Sequence, residues 1–195
     1  MNKIIVVNKT AGMTSHDVVN KIRRIFNTKR VGHTGTLDPD ATGVLVVCIN
    51  EATKLVQFLE ADSKWYIAEI LVGRSTDTFD KTGNTIKEVP VLKLSNEEVD
   101  ECLSTFKGNI SQVPPMYSAL KKDGVRLYEL ARQGVEVERE ERECEIYCLE
   151  VEKISENEFS LYTECSSGTY IRSLIYDIGE VLGVGATMTS LNRSF

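Results

Sequence analysis

The sequence predicts an α+β fold, with a mixed, mainly antiparallel sheet and flanking helices. Strand-like and helix-like segments are interspersed without the regular alternation that builds parallel sheets. Two strand-like segments over 144–154 and 158–165 flank Glu156-Asn157, which indicates a hairpin. A strongly periodic apolar pattern then predicts a helix from Ile171 to Leu182, closed by Gly183.

The first half of the sequence contains further predicted elements. Apolar or β-branched runs predict three strands, at 3–7, 44–49 and 65–72. The run at 3–7 is continuous, which favours a buried strand. Thr14 and Ser15 offer N-caps to a helix over about 16–27, whose apolar residues follow helical spacing. A Gly-rich loop over 31–43 separates that helix from the second strand.

The middle of the sequence carries three clear boundary patterns. Ser95 and Glu98 form a capping box for a helix over 96–106 that ends before Gly108. Asp123-Gly124 predicts a tight turn. Leu127–Arg132 is a short helical pattern, ended by Gly134.

Composition is that of a globular protein of 195 residues, with 42% hydrophobic and 27% charged residues. No linker or repeat divides it, so we expect a single domain over 1–195. No apolar run approaches the roughly 20 residues of a membrane span, and we expect a cytoplasmic, monomeric protein. Five cysteines without a CxxC pair predict reduced, mostly buried thiols, and two histidines away from cysteine predict no metal site.

Charge is unevenly distributed along the chain. The net charge is −6, which by itself does not suggest a nucleic-acid partner. Residues 1–60 nevertheless hold eight Lys/Arg against five Asp/Glu. A polyanion site should therefore draw on the first third of the sequence, with local basic clusters elsewhere.

The loop 31–43 presents one carboxylate in an unusual way. Asp38 precedes Pro39, which biases its backbone away from the helical region. Glycines at 32, 35 and 43 allow close backbone approach. An oriented, desolvated carboxylate can act as a nucleophile or base. Two alternatives stay open: an Asp that caps a turn, and the DxDxT pattern of aspartate-nucleophile phosphatases over 38–42, which would follow a buried strand and need magnesium.

Four segments, in the same order, resemble the TruB-type tRNA pseudouridine synthases. They are GHTGTLDPDATGVL (32–45), Lys64-Trp65-Tyr66, VPPMYSALKKDGVRLYELARQG (113–134) and CSSGTYIRSLIYDIGEVLG (165–183). The resemblance implies isomerisation of a tRNA uridine, at position 55 of the TΨC arm, without a cofactor. It also implies the pseudouridine synthase catalytic fold. Members usually continue beyond the segment seen here as Leu191-Asn192-Arg193 into a C-terminal RNA-binding domain, so the resemblance covers the catalytic domain.

The resemblance also assigns roles to six residues. It implies Asp38 as the reactive carboxylate, Arg172 as its ion-pair partner and Tyr66 as an aromatic contact for the flipped base that takes part in proton transfer at C5. Tyr170 and Leu191 would line the uracil pocket, and His33 would occupy the space that the flipped base leaves. From the residues alone, a surface arginine, core tyrosines and leucine and a hydrogen-bonded loop histidine remain alternatives.

The RNA itself is the expected partner. Candidate phosphate contacts are the basic residues of two clusters: Arg23, Arg24, Lys29 and Arg30, then Lys121, Lys122, Arg126 and Arg132. The segment 113–134 is predicted to be an inserted element that contacts RNA. The competing functional hypothesis is an RNA-binding or RNA-chaperone module of the same fold with weak or lost activity.

Overall fold

A computed structural model describes residues 2–60, 63–90 and 94–195. The α+β class is confirmed, since the main sheet is largely antiparallel and helices flank it. The helices are α1 (Ser15–Ile25), α2 (Val56–Leu59), α3 (Asn96–Ser104), α4 (Leu127–Arg132) and α5 (Ile171–Val181), with a 3-10 helix at Asn50–Leu55. The first six strands are β1 (Lys3–Lys9), β2 (Val31–His33), β3 (Thr42–Ile49), β4 (Lys64–Val72), β5 (Arg74–Thr76) and β6 (Thr85–Glu88). The others are β7 (Gly108–Gln112), β8 (Lys121–Lys122), β9 (Val125–Arg126), β10 (Arg142–Lys153), β11 (Glu158–Cys165) and β12 (Ala186–Arg193).

The main sheet has eight strands, in the order β1-β3-β12-β4-β11-β10-β7, with β2 paired to β3. Strand β12 lies at its centre, parallel to β3 and antiparallel to β4. Two small antiparallel ribbons, β5–β6 and β8–β9, lie outside it. The N-terminal strands therefore reach the rest of the sheet only through β12.

Two apolar clusters cover one face of the sheet. Helix α1 packs Val18, Val19 and Ile22 against β3. Helix α5 packs against β4, β11 and β12, and α3 adds to this second cluster. The strand registers place both clusters on the same face. The loop before β3 contributes Leu37 to the second cluster, so it lies near the junction of the two.

Most predicted elements are confirmed. Both capping features hold: Thr14 caps α1, and Ser95 with Glu98 forms the capping box of α3. The hairpin β10–β11 and helix α5 match their predicted ranges within two residues. All five cysteines carry free thiols, and four of them are buried. Within the described ranges, no helix has the length and apolar character to cross a membrane.

Residues 3–7 lie in strand β1, as predicted, but the prediction that this strand is buried is wrong. Strand β1 pairs only with β3 and is an edge strand, so Ile4 and Val6 are exposed on its outer face. A continuous apolar run does not distinguish an edge strand with one covered face from a central strand. Strands β12 and β7, the β5–β6 ribbon and the helical turns over 50–59 were not predicted from the sequence.

Candidate active site

The loop between β2 and β3 presents Asp38 at the start of a turn. The Ala41 N–H donates to the Asp38 carbonyl at 3.1 Å, so residues 38–41 form a β-turn with Pro39 at its second position. The preceding residues, 34–37, are not in a strand. The arrangement that the phosphatase alternative requires, a reactive Asp directly after a buried strand, is therefore not present.

Two buried polar side chains, those of Lys9 and Ser15, hold this loop by hydrogen bonds to its backbone. The Lys9 ammonium donates to the carbonyls of Pro39 at 3.0 Å and Ala41 at 2.6 Å. Burial lowers the pKa of Lys9, and the nearby carboxylates of Asp38 and Asp40 partly oppose this. On the other side, the Ser15 hydroxyl binds the backbone of Leu37. Sequence analysis assigned neither residue to the site, because both act on backbone atoms about thirty and twenty residues away along the chain.

Asp38 and Arg172 form a two-point ion pair. Nε of Arg172 lies 2.8 Å from one carboxylate oxygen of Asp38, and Nη2 donates to the other at 3.1 Å. The Arg172 side chain is 6% exposed and that of Asp38 is 36% exposed. The pair therefore has a protein side, which Arg172 covers, and an open side on which Asp38 can meet a ligand.

Arg172 is itself fixed by three further groups. Its guanidinium donates to the carbonyls of Tyr117 at 2.9 Å and Thr78 at 3.2 Å, and Nη1 lies 3.8 Å from a carboxylate oxygen of Asp80. Asp80 accepts hydrogen bonds from Thr78 and Thr82, which hold it in a tight turn. Asp80 was not predicted, since its link to Arg172 joins residues about 90 positions apart and leaves no local pattern.

Tyr66 and Leu191 lie on the central strands beside Asp38. Both are buried, and each faces the helix-covered side of the sheet. Burial raises the pKa of the Tyr66 phenol. Tyr170 caps the start of α5, and its backbone N–H and carbonyl both bind the amide of Gln112. The charge of Asp38 raises the pKa of both phenols, so the carboxylate lies within electrostatic range of each of them.

His33 ends β2, at the entrance to the same loop. Its Nδ1 atom is buried and, among the residues that the structure describes, has no partner that meets hydrogen-bond geometry. Burial lowers the pKa of His33 despite the opposing charge of Glu60, so the imidazole is neutral at pH 7. A neutral, partly buried ring is suited to stacking on a base and not to carrying a charge.

Close packing explains one glycine of the loop. Gly43 has φ +103°, and a Cβ there would lie 2.1 Å from the Arg193 carbonyl oxygen. The end of β12 can reach β3 only because residue 43 lacks a side chain. Gly43 therefore brings β12, and with it Leu191, next to the Asp38 loop.

The basic candidates fall on two separate elements. Arg24 and Lys29 are exposed at the C-terminal end of α1 and the turn beyond it, whereas Arg23 is half-buried and bonds to Asn20 and the Lys29 carbonyl. Arg30 is exposed and pairs with Glu51. Lys121, Lys122 and Arg126 are exposed on the β8–β9 ribbon, and Arg126 and Arg132, which is also exposed, both lie over the ring of Tyr128.

Comparison with known proteins identifies the family. The model of the TruB family pseudouridylate synthase (N terminal domain) matches residues 23–171. The chain belongs to the TruB family. A TruB-family relative from Clostridium perfringens strain SM101, tRNA pseudouridine synthase B, is 52% identical over 194 residues, which cover 99% of this chain and 66% of the relative. Its counterpart in Fusobacterium nucleatum is 51% identical over 193 residues, covering 99% and 67%.

Solved structures agree with this family. The TruB-family chain matches a chain of the Cbf5-Nop10-Gar1 complex with a TM-score of 0.75 and 33% identity, covering 98% of this chain and 48% of that one. It matches a chain of an H/ACA RNP bound to a substrate RNA containing 2′-deoxyuridine with a TM-score of 0.71 and 30% identity, covering 98% and 46%. The chain thus spans about two thirds of the bacterial relatives and about half of these structural ones.

Proposed function

We propose that this chain isomerises a uridine of tRNA to pseudouridine, and that the uridine is position 55 in the TΨC arm. The bacterial relatives carry the name tRNA pseudouridine synthase B, and one structural relative holds a substrate RNA. The observation that supports the proposal most is the Asp38–Arg172 ion pair. Arg172 covers one side of the Asp38 carboxylate, and the other side is open to a ligand. Such a carboxylate is ready to react with a base placed against Tyr66.

The proposed reaction exchanges one bond of the uracil ring for another. The bond between ribose C1′ and N1 breaks, the ring rotates, and C5 bonds to C1′. The C5 proton leaves, and N1 gains one. Because no atom is added from outside, we propose no cofactor and no metal ion.

Asp38 is the proposed catalytic carboxylate. Attack on C1′, attack on C6 and formation of a glycal all need it as an anion. Arg172 holds this carboxylate in place through two contacts, from Nε to one oxygen and from Nη2 to the other. Arg172 can do this with little motion, because the backbone carbonyls of Thr78 and Tyr117 and the carboxylate of Asp80 hold its guanidinium.

The remaining residues of the site are proposed to hold the extruded base. A uridine inside a folded RNA arm must leave its stack, at a cost of a few kcal/mol. Tyr66 offers an aromatic face for the uracil, with Tyr170 and Leu191 completing its pocket. His33, neutral at the edge of the loop, would fill the vacated space in the RNA.

The proposed RNA surface combines the two basic clusters. Residues 113–134 act as the RNA-contacting insert of a single, monomeric, cytoplasmic catalytic domain over 1–195. This placement is supported by hydrogen bonds that join the start of the insert to α5: Ser173 donates to the Val113 carbonyl at 3.0 Å, and Arg172 donates to that of Tyr117. RNA bound by the insert would therefore lie beside Asp38.

The test is incubation with an unmodified tRNA transcript in EDTA, followed by mapping of pseudouridine. We expect modification at position 55 by the parent, none by Asp38→Asn, and parent-like turnover by the matched variant Asp40→Asn, whose side chain is exposed two residues away. RNA binding by all three without product from the parent would favour the RNA-binding alternative. Turnover by Asp38→Asn near the parent rate would remove Asp38 from the mechanism.

A further inference from the structure

Arg193 is a buried cation with an unusual set of partners. It is 3% exposed, yet among residues 2–60, 63–90 and 94–195 it makes no salt bridge with a carboxylate. Its Nε donates to the Val44 carbonyl at 2.7 Å and its Nη2 to the Gly35 carbonyl at 3.3 Å. A buried charge that lacks a counter-charge costs free energy unless hydrogen bonds compensate it, so Arg193 is a candidate for a functional role.

The strand register places Arg193 directly opposite Tyr66. The two residues are partners in the antiparallel β12–β4 pairing, and both side chains lie on the covered face of the sheet. Directly opposed side chains on one face are about 4.5–5.5 Å apart at their Cβ atoms. The carbonyls of Val44 and Gly35 fix the guanidinium at that place, between β3, the Asp38 loop and the Tyr66 phenol.

We propose that Arg193 is a positioning residue for Tyr66: its fixed positive charge stabilises the Tyr66 phenolate that removes the C5 proton in the last step of isomerisation. The inference rests on the proposed function and extends it to a residue outside the Asp38–Arg172 pair. The two arginines then have separate roles: Arg172 positions the carboxylate of Asp38, and Arg193 stabilises the phenolate of Tyr66.

The step balances without another reactant. After C5 has bonded to C1′, C5 still carries its hydrogen. The phenolate oxygen of Tyr66 takes it as a proton, so that an O–H bond forms as the C5–H bond breaks. The electron pair of the C5–H bond forms the C5–C6 double bond as the C6–N1 double bond of the intermediate opens, and N1 takes up a proton from solvent. The phenol later releases its own proton to solvent.

The surroundings of Tyr66 show why a cation is needed. Burial raises the pKa of Tyr66, and the Cys165 thiol on β11 and the Asp38 carboxylate raise it further. Thr163, its partner on β11, is uncharged. The charge and hydrogen bonding of Arg193 act in the opposite direction. Of the charged groups that affect this phenol, Arg193 is therefore the one that favours its anionic form.

The first experiment uses tRNA transcripts with hydrogen or deuterium at uridine C5, in single-turnover reactions. Arg193→Gln removes the charge but keeps a donor for the Val44 carbonyl, and Arg193→Lys keeps the charge. We expect Arg193→Gln to slow product formation by about tenfold or more, with a primary isotope effect larger than that of the parent, and Arg193→Lys to recover much of the rate. Unchanged rates, or slowing without an increased isotope effect, would overturn the proposal.

The second experiment does not depend on activity. Tyrosines labelled with ¹³C at Cζ are titrated by NMR in the RNA-free protein, and Tyr66→Phe assigns the resonance. Arg193→Gln should raise the pKa of Tyr66, whereas Asn192→Ala, on the same strand but with its side chain on the opposite face, should leave it unchanged. Arg193→Met replaces Arg193→Gln if circular dichroism shows the latter unfolded. An unmoved Tyr66 titration would refute the role of Arg193, whereas failure of the proposed function would appear as a parent without pseudouridine product.

Discussion

The Ser15 hydroxyl binds both backbone polar groups of Leu37. It accepts a hydrogen bond from the Leu37 N–H at 2.9 Å and is placed to donate to the Leu37 carbonyl at 3.2 Å. Since Asp38 is the next residue, this contact lets the first turn of α1 fix the backbone position from which the reactive carboxylate extends. Thr14, and not Ser15, provides the helix cap, which leaves Ser15 available for this contact.

Replacing Ser15 by Ala should therefore affect both stability and turnover. The buried N–H and carbonyl of Leu37 lose their partner, which costs about 1–3 kcal/mol. We expect kcat to fall more than KM rises, because the loop that carries Asp38 is less well fixed. Urea unfolding and steady-state kinetics measure the two effects. Ser155→Ala, at the exposed tip of the β10–β11 hairpin, is the control and should change the free energy of unfolding by less than about 0.5 kcal/mol.

A double-mutant cycle should detect the Asp38–Arg172 pair in the free energy of unfolding. Exposed pairs contribute about 0–1 kcal/mol, and breaking fully buried ones costs about 3–5 kcal/mol. With Asp38 36% exposed and Arg172 6% exposed, we expect a coupling energy between these ranges. Arg172→Ala alone should also abolish turnover. Additive effects together with normal turnover in Arg172→Ala would mean that the pair serves neither stability nor catalysis.

Stability should fall on acidification through His33. Its pKa in the folded state lies below the reference value of 6.5, so below pH 6.5 the unfolded chain binds a proton that the folded protein resists. The free energy of unfolding should drop as pH falls from 6.5 toward the lowered folded-state pKa. His33→Asn should lack this decrease, and His16→Asn, an exposed control on α1, should retain it. Parallel curves for the parent and His33→Asn would contradict the prediction.

RNA affinity should depend steeply on salt despite the net charge of −6. Each phosphate contact contributes about 0.7–0.9 to the slope of log K against log salt. Arg24→Glu with Lys29→Glu should flatten that slope, since both side chains are exposed and neither forms an ion pair among the described residues. Lys153→Glu, at the far end of the β10–β11 hairpin, is the charge-reversal control outside the α1 cluster. Equal slopes in all three proteins would remove the α1 cluster from the RNA surface.

The elements that sequence analysis predicted are those with one buried face. Residues 66–72 of β4 alternate, and α5 repeats its apolar residues every three to four positions, because a sheet or helix with one covered face imposes that period. Strand β12 has no such pattern. It is central, a bulge interrupts it between Met188 and Ser190, and three of its first five residues are threonine or serine. Its place depends on the neighbouring strands, which no local pattern encodes.

The residues of the site likewise fall into those that could be predicted from the sequence and those that could not. Asp38, Tyr66 and Arg172 were predicted because family-specific segments surround them. The structure pairs Asp38 with Arg172 and places buried Tyr66 within electrostatic range of Asp38. Lys9, Ser15, Asp80 and Arg193 were missed. Each acts through a contact with a residue distant in sequence, often a backbone carbonyl, and a carbonyl can accept a hydrogen bond from any donor that the fold brings near it.

The central position of β12 has a consequence for the order of folding. Strands β3 and β4 do not pair with each other, and β12, which enters the sheet between them, ends at Arg193. The loop with Asp38 and the strand with Tyr66 can thus come into register only after nearly two hundred residues have been synthesised. In a ribosome-bound chain that stops short of β12, strands β1–β3 and strands β4, β7, β10 and β11 are not joined in one sheet. Such a chain cannot modify RNA until β12 has paired with both β3 and β4. The same contact joins residues about 150 positions apart, and pairings of such long range fold slowly.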